Sequence, residues 1–375
     1  MPITSRPGCR EDFKVAIICA LPQEPDAVSL LFDEFWDEDG DPYGRAPGDT
    51  NTYTTGRIGK HNVVLVVLPN MGNNGAATAT ASVRSSYRCL KLALLVGICG
   101  GVPNRARLWY PESFVHKNTV EDIFGRASKD IRALIARFET ELGRERQEEK
   151  TAKYLQHLQS NAKRRRPRAK YQYAGPGEEK LFAPDYTHQH REACDASASE
   201  QTGFCEAAAH ASRVDLGCDE SRLIARVRLQ SEEGLDRDGV PSPRTFMGCV
   251  ASGDPVMKSG EHCDRIAAAH SVIAFEMEGA GASDKLPCVV IKGGCDYADS
   301  HKNKNWQDFM AATAASVAKA MLERYILEDI AEPGQGAAAG NREAGKKGEA
   351  KVAGRFQTTR LEINPRSRKV ISVGT

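Results

Sequence analysis

Between Ser252 and Asp299 three short polar motifs, S-G-D, E-M-E-G-A and C-D-Y-A-D, follow one another on a pattern of strand, helix, strand and loop. This stretch restricts the fold more than any other. The run Pro287 to Gly294 is continuously apolar apart from Lys292 and reads as a strand buried on both faces, which parallel sheets produce. It ends at Cys295-Asp296-Tyr297-Ala298-Asp299, so Asp296 falls at the carboxyl end of a strand, where open α/β sheets bind ligands. Just upstream, Ala274 to Ala280 alternates apolar and acidic residues before small residues that suit a close-packed helix start, and acids in such a context need polar partners. Asp296 and Asp299 also suit capping of the following helix.

The same alternation runs through the N-terminal part. Phe13 to Ala20 and Asn62 to Leu68 read as strands, Gly75 to Tyr87 as a helix, and Leu92 to Val96 as a third buried strand entering a glycine turn at Gly97. Thr119-Val120-Glu121-Asp122 has the form of a capping box. Ile131, Leu134, Ile135, Phe138 and Leu142 recur at helical spacing, with a polar continuation expected to leave the core. After Trp306, residues from Phe309 to Leu322 form the apolar face of a helix ending near Glu328. The fold class is α/β, with a mixed central sheet and crossover helices on both faces.

Composition narrows the function. A hydrophobic share of 41% supports a sizeable core, and a net charge of +1 argues against a nucleic-acid binder. No apolar run approaches the roughly eighteen residues of a spanning helix, which argues against a membrane protein. Met1 to Arg6 lacks a leader core, and eleven cysteines without one read as reduced thiols, so a cytoplasmic or nuclear compartment is expected. Residues 143–242 are charged and low in aliphatics and read as an insertion in a domain spanning 12–330. Its basic run Ala162 to Lys170 fits a solvated face, an import signal or a phosphate contact. His188, His190, Cys194, Cys205, His210 and Cys218 cluster within it, but loosely and without a C-x-x-C pair, so no metal or other cofactor is assigned. Residues 331–375 read as a disordered tail.

Taken in order, Val15 to Glu24, Met71-Gly72-Asn73-Asn74-Gly75, Val96 to Gly101, Ala251 to Asp254, Glu276-Met277-Glu278 and Cys295 to Asp299 resemble the purine nucleoside phosphorylase and methylthioadenosine/S-adenosylhomocysteine nucleosidase superfamily. The resemblance spans about 12–328 and is strongest to a fungal subgroup that often precedes nucleotide-binding and repeat-containing sensor regions. It implies a three-layer α/β/α, nucleoside phosphorylase-like fold and cleavage of the N-glycosidic bond of a purine nucleoside or adenine nucleotide. It implies that Asp296 is the general acid toward the purine ring nitrogen. Glu278 then grips the ribose hydroxyls, with Glu276 and Met277 beside it, and Val256 and Met257 sandwich the base. Phosphorylases of this superfamily carry a G-D-P-x-R loop after the first strand. Here Ala20-Leu21-Pro22-Gln23-Glu24 stands instead, matching nucleosidases in which the glutamate activates water. Glu24 also suits a helix N-terminal acid. Backbone N–H groups at Gly72, Gly97 and Gly100 are expected near the ribose 5′ side, where they would suit a phosphate or form tight turns.

One departure stands out. Relatives continue after Gly100-Gly101-Val102-Pro103 into a G-D-V-V-V-type strand, whereas Asn104 to Trp109 follow here and resemblance resumes near Phe114 to Thr119. A strand beside the pocket is therefore expected to be missing, leaving exposed sheet edges. Three readings stay open: a nucleosidase, a phosphorylase, and a module that binds its ligand without turnover. The expected partner is a small purine nucleoside or nucleotide, with homo-oligomers left open.

Overall fold

The computed structural model describes residues 6–38, 40–103, 129–165, 169–188, 211, 213, 215–225, 242–325 and the backbone of 369–374. Nine strands form one mixed sheet. In chain order the elements are β1 Val15–Cys19, α1 Gln23–Ser29, β2 Glu34–Phe35, β3 Tyr53–Ile58, β4 His61–Val67, α2 Asn73–Ser86 and β5 Leu92–Gly101. There follow α3 Lys129–Glu139, α4 Glu141–Arg165, β6 Arg244–Ser252, α5 Gly260–His270, β7 Val272–Glu276, α6 Gly279–Ser283, β8 Cys288–Asp296, α7 Gln307–Arg324 and β9 Lys369–Gly374.

Strand periodicity explains the layers. Successive side chains on a strand point to opposite faces, so a strand covered on both sides must be apolar throughout. In β1 Val15, Ile17 and Cys19 join one core with α1, α3, α4 and α7, while Ala16 and Ile18 join a second core with α2 and α6. In β5 Leu92, Leu94, Val96 and Ile98 take the first core and Ala93, Leu95 and Cys99 the second. This is the expected three-layer sandwich. β1 pairs in parallel with β4 and β5, and β5 in parallel with β8.

β5 also pairs antiparallel with β7 through Gly100 and Gly101, and the path β7, β6, β9, β8 returns to β5. The far half of the sheet is thus a closed ring. Residues 369–374, expected in a disordered tail, are instead the strand that closes it, antiparallel to β6 and parallel to β8. Closure removes the edges of β6 and β8 that would otherwise be free to pair with another chain. The capping box at Thr119, the departure at 104–118 and the sequence 332–354 lie outside the described residues.

Two further expectations are corrected. The glycines from Gly97 to Gly101 form no turn: they continue β5, paired with β8 from Lys292 to Asp296 across a register shift between Cys99 and Gly100. The polar continuation after Phe138 does not leave the core. The helix breaks at Thr140, leaving Leu142 exposed, and α4 then packs along α7 with Leu155, Leu158 and Ala162 buried. Gln147, fully buried on α4, donates its amide nitrogen to the Val317 carbonyl at 3.0 Å and ties the two helices together. The alanine-rich α7 is buried around its whole circumference because α4 covers the side that faces away from the sheet. Among the described residues no helix is long and apolar enough to cross a membrane.

Candidate active site

The carboxyl ends of β1, β5, β7 and β8 converge on one cavity of about 200 Å³. Glu24, Glu276, Met277, Glu278, Val256, Met257, Gly100 and Asp296 all line it, although they come from five separate regions of the sequence. Gly72 and Gly97 do not line it, but each neighbours a lining carboxylate, Glu278 and Glu24 respectively.

Glu24 sits in the first turn of α1 and is 1% exposed. One carboxylate oxygen accepts the Ala20 and Leu21 N–H groups at 2.7 and 2.9 Å, a capping contact. The other crosses to β5 and accepts the Ile98 N–H at 2.9 Å. Glu24 is therefore both a cap and a cavity group. Burial pushes its carboxyl above the ordinary carboxylate range, against the pull of Lys292 and the three N–H donors. Space for it comes from Gly97, where a Cβ would lie 2.3 Å from Oε1. Gly100 does the same for Asp296, whose Oδ1 would meet a Cβ at 2.9 Å. These two glycines lie in strand and make room for acids, and do not form the tight turn that was one reading of them.

Glu276 and Glu278 flank Lys292, which sequence reading treated only as part of a strand. The Lys292 ammonium lies 2.9 Å from Glu278 Oε2 and 3.8 Å from Glu276 Oε2, with all three side chains buried. Burial alone would lower the Lys292 ammonium, but Glu278, Glu24 and Glu276 overcome it and hold it above the ordinary lysine range. Burial raises Glu276, whose oxygens accept the Glu278 and Gly279 N–H groups at 2.9–3.0 Å. Glu276 is thus tied to backbone, whereas Glu278 keeps Oε1 toward the Gly72 N–H at 3.5 Å. A charged residue in the middle of the apolar run from Cys288 to Gly294 was the available signal for Lys292.

Asp296 closes the opposite side. Its Oδ1 accepts the Ala298 N–H at 2.9 Å, and both oxygens lie 3.1 Å from the Lys302 ammonium, a second residue that sequence reading passed over. Val256 and Met71 are about half exposed, at 48% and 53%, and with Met257 and Phe275 give the cavity apolar walls. The S-G-D turn is pinned across the cavity. Asp254 accepts the Asn73 N–H at 2.8 Å, Ser252 bonds the Asn73 side chain at 3.0 Å, and Asn73 Oδ1 accepts the Gly281 N–H at 3.1 Å. Gly72 precedes this clasp with φ of 105°, a conformation that favours glycine.

Four carboxylates and two ammonium groups line the cavity, and no arginine does so among the described residues. Such a site favours charge that develops positively at its centre and opposes an incoming anion.

No family model matches the sequence. A nucleotide-binding leucine-rich repeat (NLR)-like protein of Hyaloscypha variabilis is 28% identical over 326 residues, covering 83% of this chain and 29% of that protein. The chain thus spans under a third of its curated relative's length. Among solved structures, a futalosine hydrolase of Helicobacter pylori aligns over 84% of this chain and 99% of its own at 15% identity and a TM-score of 0.39. A 5′-methylthioadenosine/S-adenosylhomocysteine nucleosidase of the same organism gives 14% identity, coverage of 84% and 99%, and a TM-score of 0.40. That of Neisseria meningitidis gives 14%, 83%, 99% and 0.39. Over most of its length the chain is similar in sequence to the NLR-like fungal protein.

Proposed function

We propose that this chain is a purine nucleosidase-like enzyme that cleaves the N-glycosidic bond of a purine nucleoside or adenine nucleotide by activated water, releasing the free base. The observation that carries the reading is the convergence of Glu24, Glu278 and Asp296 on one cavity whose lining has two more carboxylates than ammonium groups.

Leaving of the base builds positive charge on the ribose and negative charge on the purine. The excess of carboxylates stabilises the first, and Asp296, at the rim, supplies a proton to the second. Glu24 takes a proton from the attacking water. Its carboxyl is raised by burial, which makes it a stronger base once ionised, and its three N–H bonds fix its position. Glu278 accepts hydrogen bonds from the ribose hydroxyls through Oε1, while Lys292 holds Oε2. The base lies against Val256, Met257 and Phe275. Among the described residues, phosphate as nucleophile would meet four carboxylates and no arginine in the lining, and this favours water.

A second reading, binding without turnover, draws support from the similarity to the NLR-like protein. Chromatography of free purine released from a panel of nucleosides and nucleotides, with and without phosphate, separates the readings. Base released without phosphate supports hydrolysis. Release only with phosphate supports phosphorolysis, and saturable binding with no product supports the binding module.

A further inference from the structure

We propose that His188, Cys218 and His301 form a Zn²⁺ site that clasps residues 169–188 and 215–225 onto the loop that follows Asp296. One ligating atom from each of the three residues lies within 4.8 Å of the other two. The sequence cluster of histidines and cysteines contained two of the three. The third follows β8, outside the insertion.

The side chains are oriented as ligands. His188 Nε2 donates to the Ala211 carbonyl at 3.1 Å, which fixes the proton on that nitrogen and leaves Nδ1 with its lone pair toward Cys218. Nδ1 is 3.4 Å from the Cys218 sulfur. A backbone carbonyl on the far nitrogen is the usual outer partner of a metal-bound histidine. His301 is buried, its ring stacked at 4.0 Å on Phe182 and set at 69° to the His188 ring, with the ring centroids 5.3 Å apart. Tetrahedral Zn²⁺ with nitrogen and sulfur at about 2.0–2.3 Å places its ligand atoms about 3.3–3.6 Å apart. The His188–Cys218 pair already has that separation, and His301 closes the set by a small movement. One thiolate and two imidazoles match the borderline softness of zinc, with the fourth position left to water. Sulfur binds as thiolate, so each ion taken up releases the thiol proton to solvent.

The position gives the site its consequence. The His188 N–H donates to the Ser300 hydroxyl at 2.9 Å, and Glu178 accepts from the Asn303 side chain at 2.8 Å, so the segment already rests on this loop. Asp296 ends β8, Lys302 in the following loop pairs with it, and His301 adjoins Lys302. An ion at His301 holds the loop, and with it the Asp296–Lys302 pair, against the segment.

The test uses the full chain, reduced and stripped with chelator, titrated with Co²⁺ as a spectroscopic substitute for zinc. The expected result is one equivalent of Co²⁺ with a thiolate-to-cobalt charge-transfer band and intense tetrahedral visible bands, displaced by Zn²⁺. Cys218→Ser should abolish the charge-transfer band, and His301→Gln should weaken binding at least tenfold. Cys9→Ser, an exposed thiol elsewhere, should change neither. Zn²⁺ should raise the melting temperature of the native chain and not that of Cys218→Ser, which also reports whether the variant folds. If His301→Gln unfolds, His188→Gln takes its place. A folded native chain without the charge-transfer band overturns the proposal, as does a band that persists in Cys218→Ser.

Discussion

Gly97→Ala should damage this protein far more than the same change four residues along the same strand. A Cβ at Gly97 would lie 2.3 Å from Glu24 Oε1 and 2.6 Å from its carboxyl carbon, closer than real contacts allow. Glu24 cannot swing away freely, because it is 1% exposed and accepts three N–H bonds. Overpacking costs about 1–3 kcal/mol. Losing one hydrogen bond to a charged group costs about 1.5–3 kcal/mol more, so the expected destabilisation is about 2.5–6 kcal/mol. At Gly101 a Cβ would meet only the Asp296 carbonyl oxygen at 3.5 Å, an ordinary contact. Gly101→Ala should therefore stay within about 1 kcal/mol of the native chain. Urea denaturation monitored by circular dichroism measures both. Adding Glu24→Ala to Gly97→Ala removes the clashing carboxylate, so the double variant should be more stable than the sum of the single changes by at least ~1 kcal/mol. Equal stability of the two alanine variants, or strict additivity with Glu24→Ala, would refute the steric coupling of Gly97 to Glu24.

Three other outcomes follow from the same geometry. Lys292→Met leaves Glu276 and Glu278 buried without their cation and should cost about 3–5 kcal/mol by denaturant titration. Glu24 has its carboxyl raised from an ordinary value of 4.5, so the folded chain binds its proton more tightly than the unfolded chain. Its contribution to stability is full below pH 4.5 and is lost as pH rises through the raised value; stability of the native chain relative to Glu24→Gln should fall across that window, while base release rises across it. Ending the chain at residue 368 removes β9 and frees the edges of β6 and β8, so light scattering should show increased self-association.

Much of this site was legible because its acids stand in local patterns. Asp296 follows an apolar run that can only be a buried strand, and Glu276 to Glu278 alternate within apolar surroundings. Lys292 was not legible in the same way, since its meaning depends on Glu278 and Glu24, which reach it only through the sheet. The glycines of β5 suggested a turn from their own conformational preference. Their real requirement is space for Glu24 and Asp296, a non-local demand that composition does not reveal. The polarity of α4 pointed to solvent, yet α7 presents a face of alanines that longer side chains cover well. β9 was hidden for a similar reason: six residues with a few β formers, Val370, Ile371 and Val373, follow a long low-aliphatic stretch, and their place between β6 and β8 is a non-local feature.

The central claim is that water, activated at Glu24, replaces the purine at the anomeric carbon. Reaction in ¹⁸O-labelled water with inorganic phosphate present, followed by mass spectrometry of the sugar product, tests it directly. The account predicts a free sugar carrying one ¹⁸O atom, lost with Glu24→Gln and with Asp296→Asn by a factor of about 10² to 10⁴. A sugar 1-phosphate without the label, or no sugar product from the folded native chain, would contradict it.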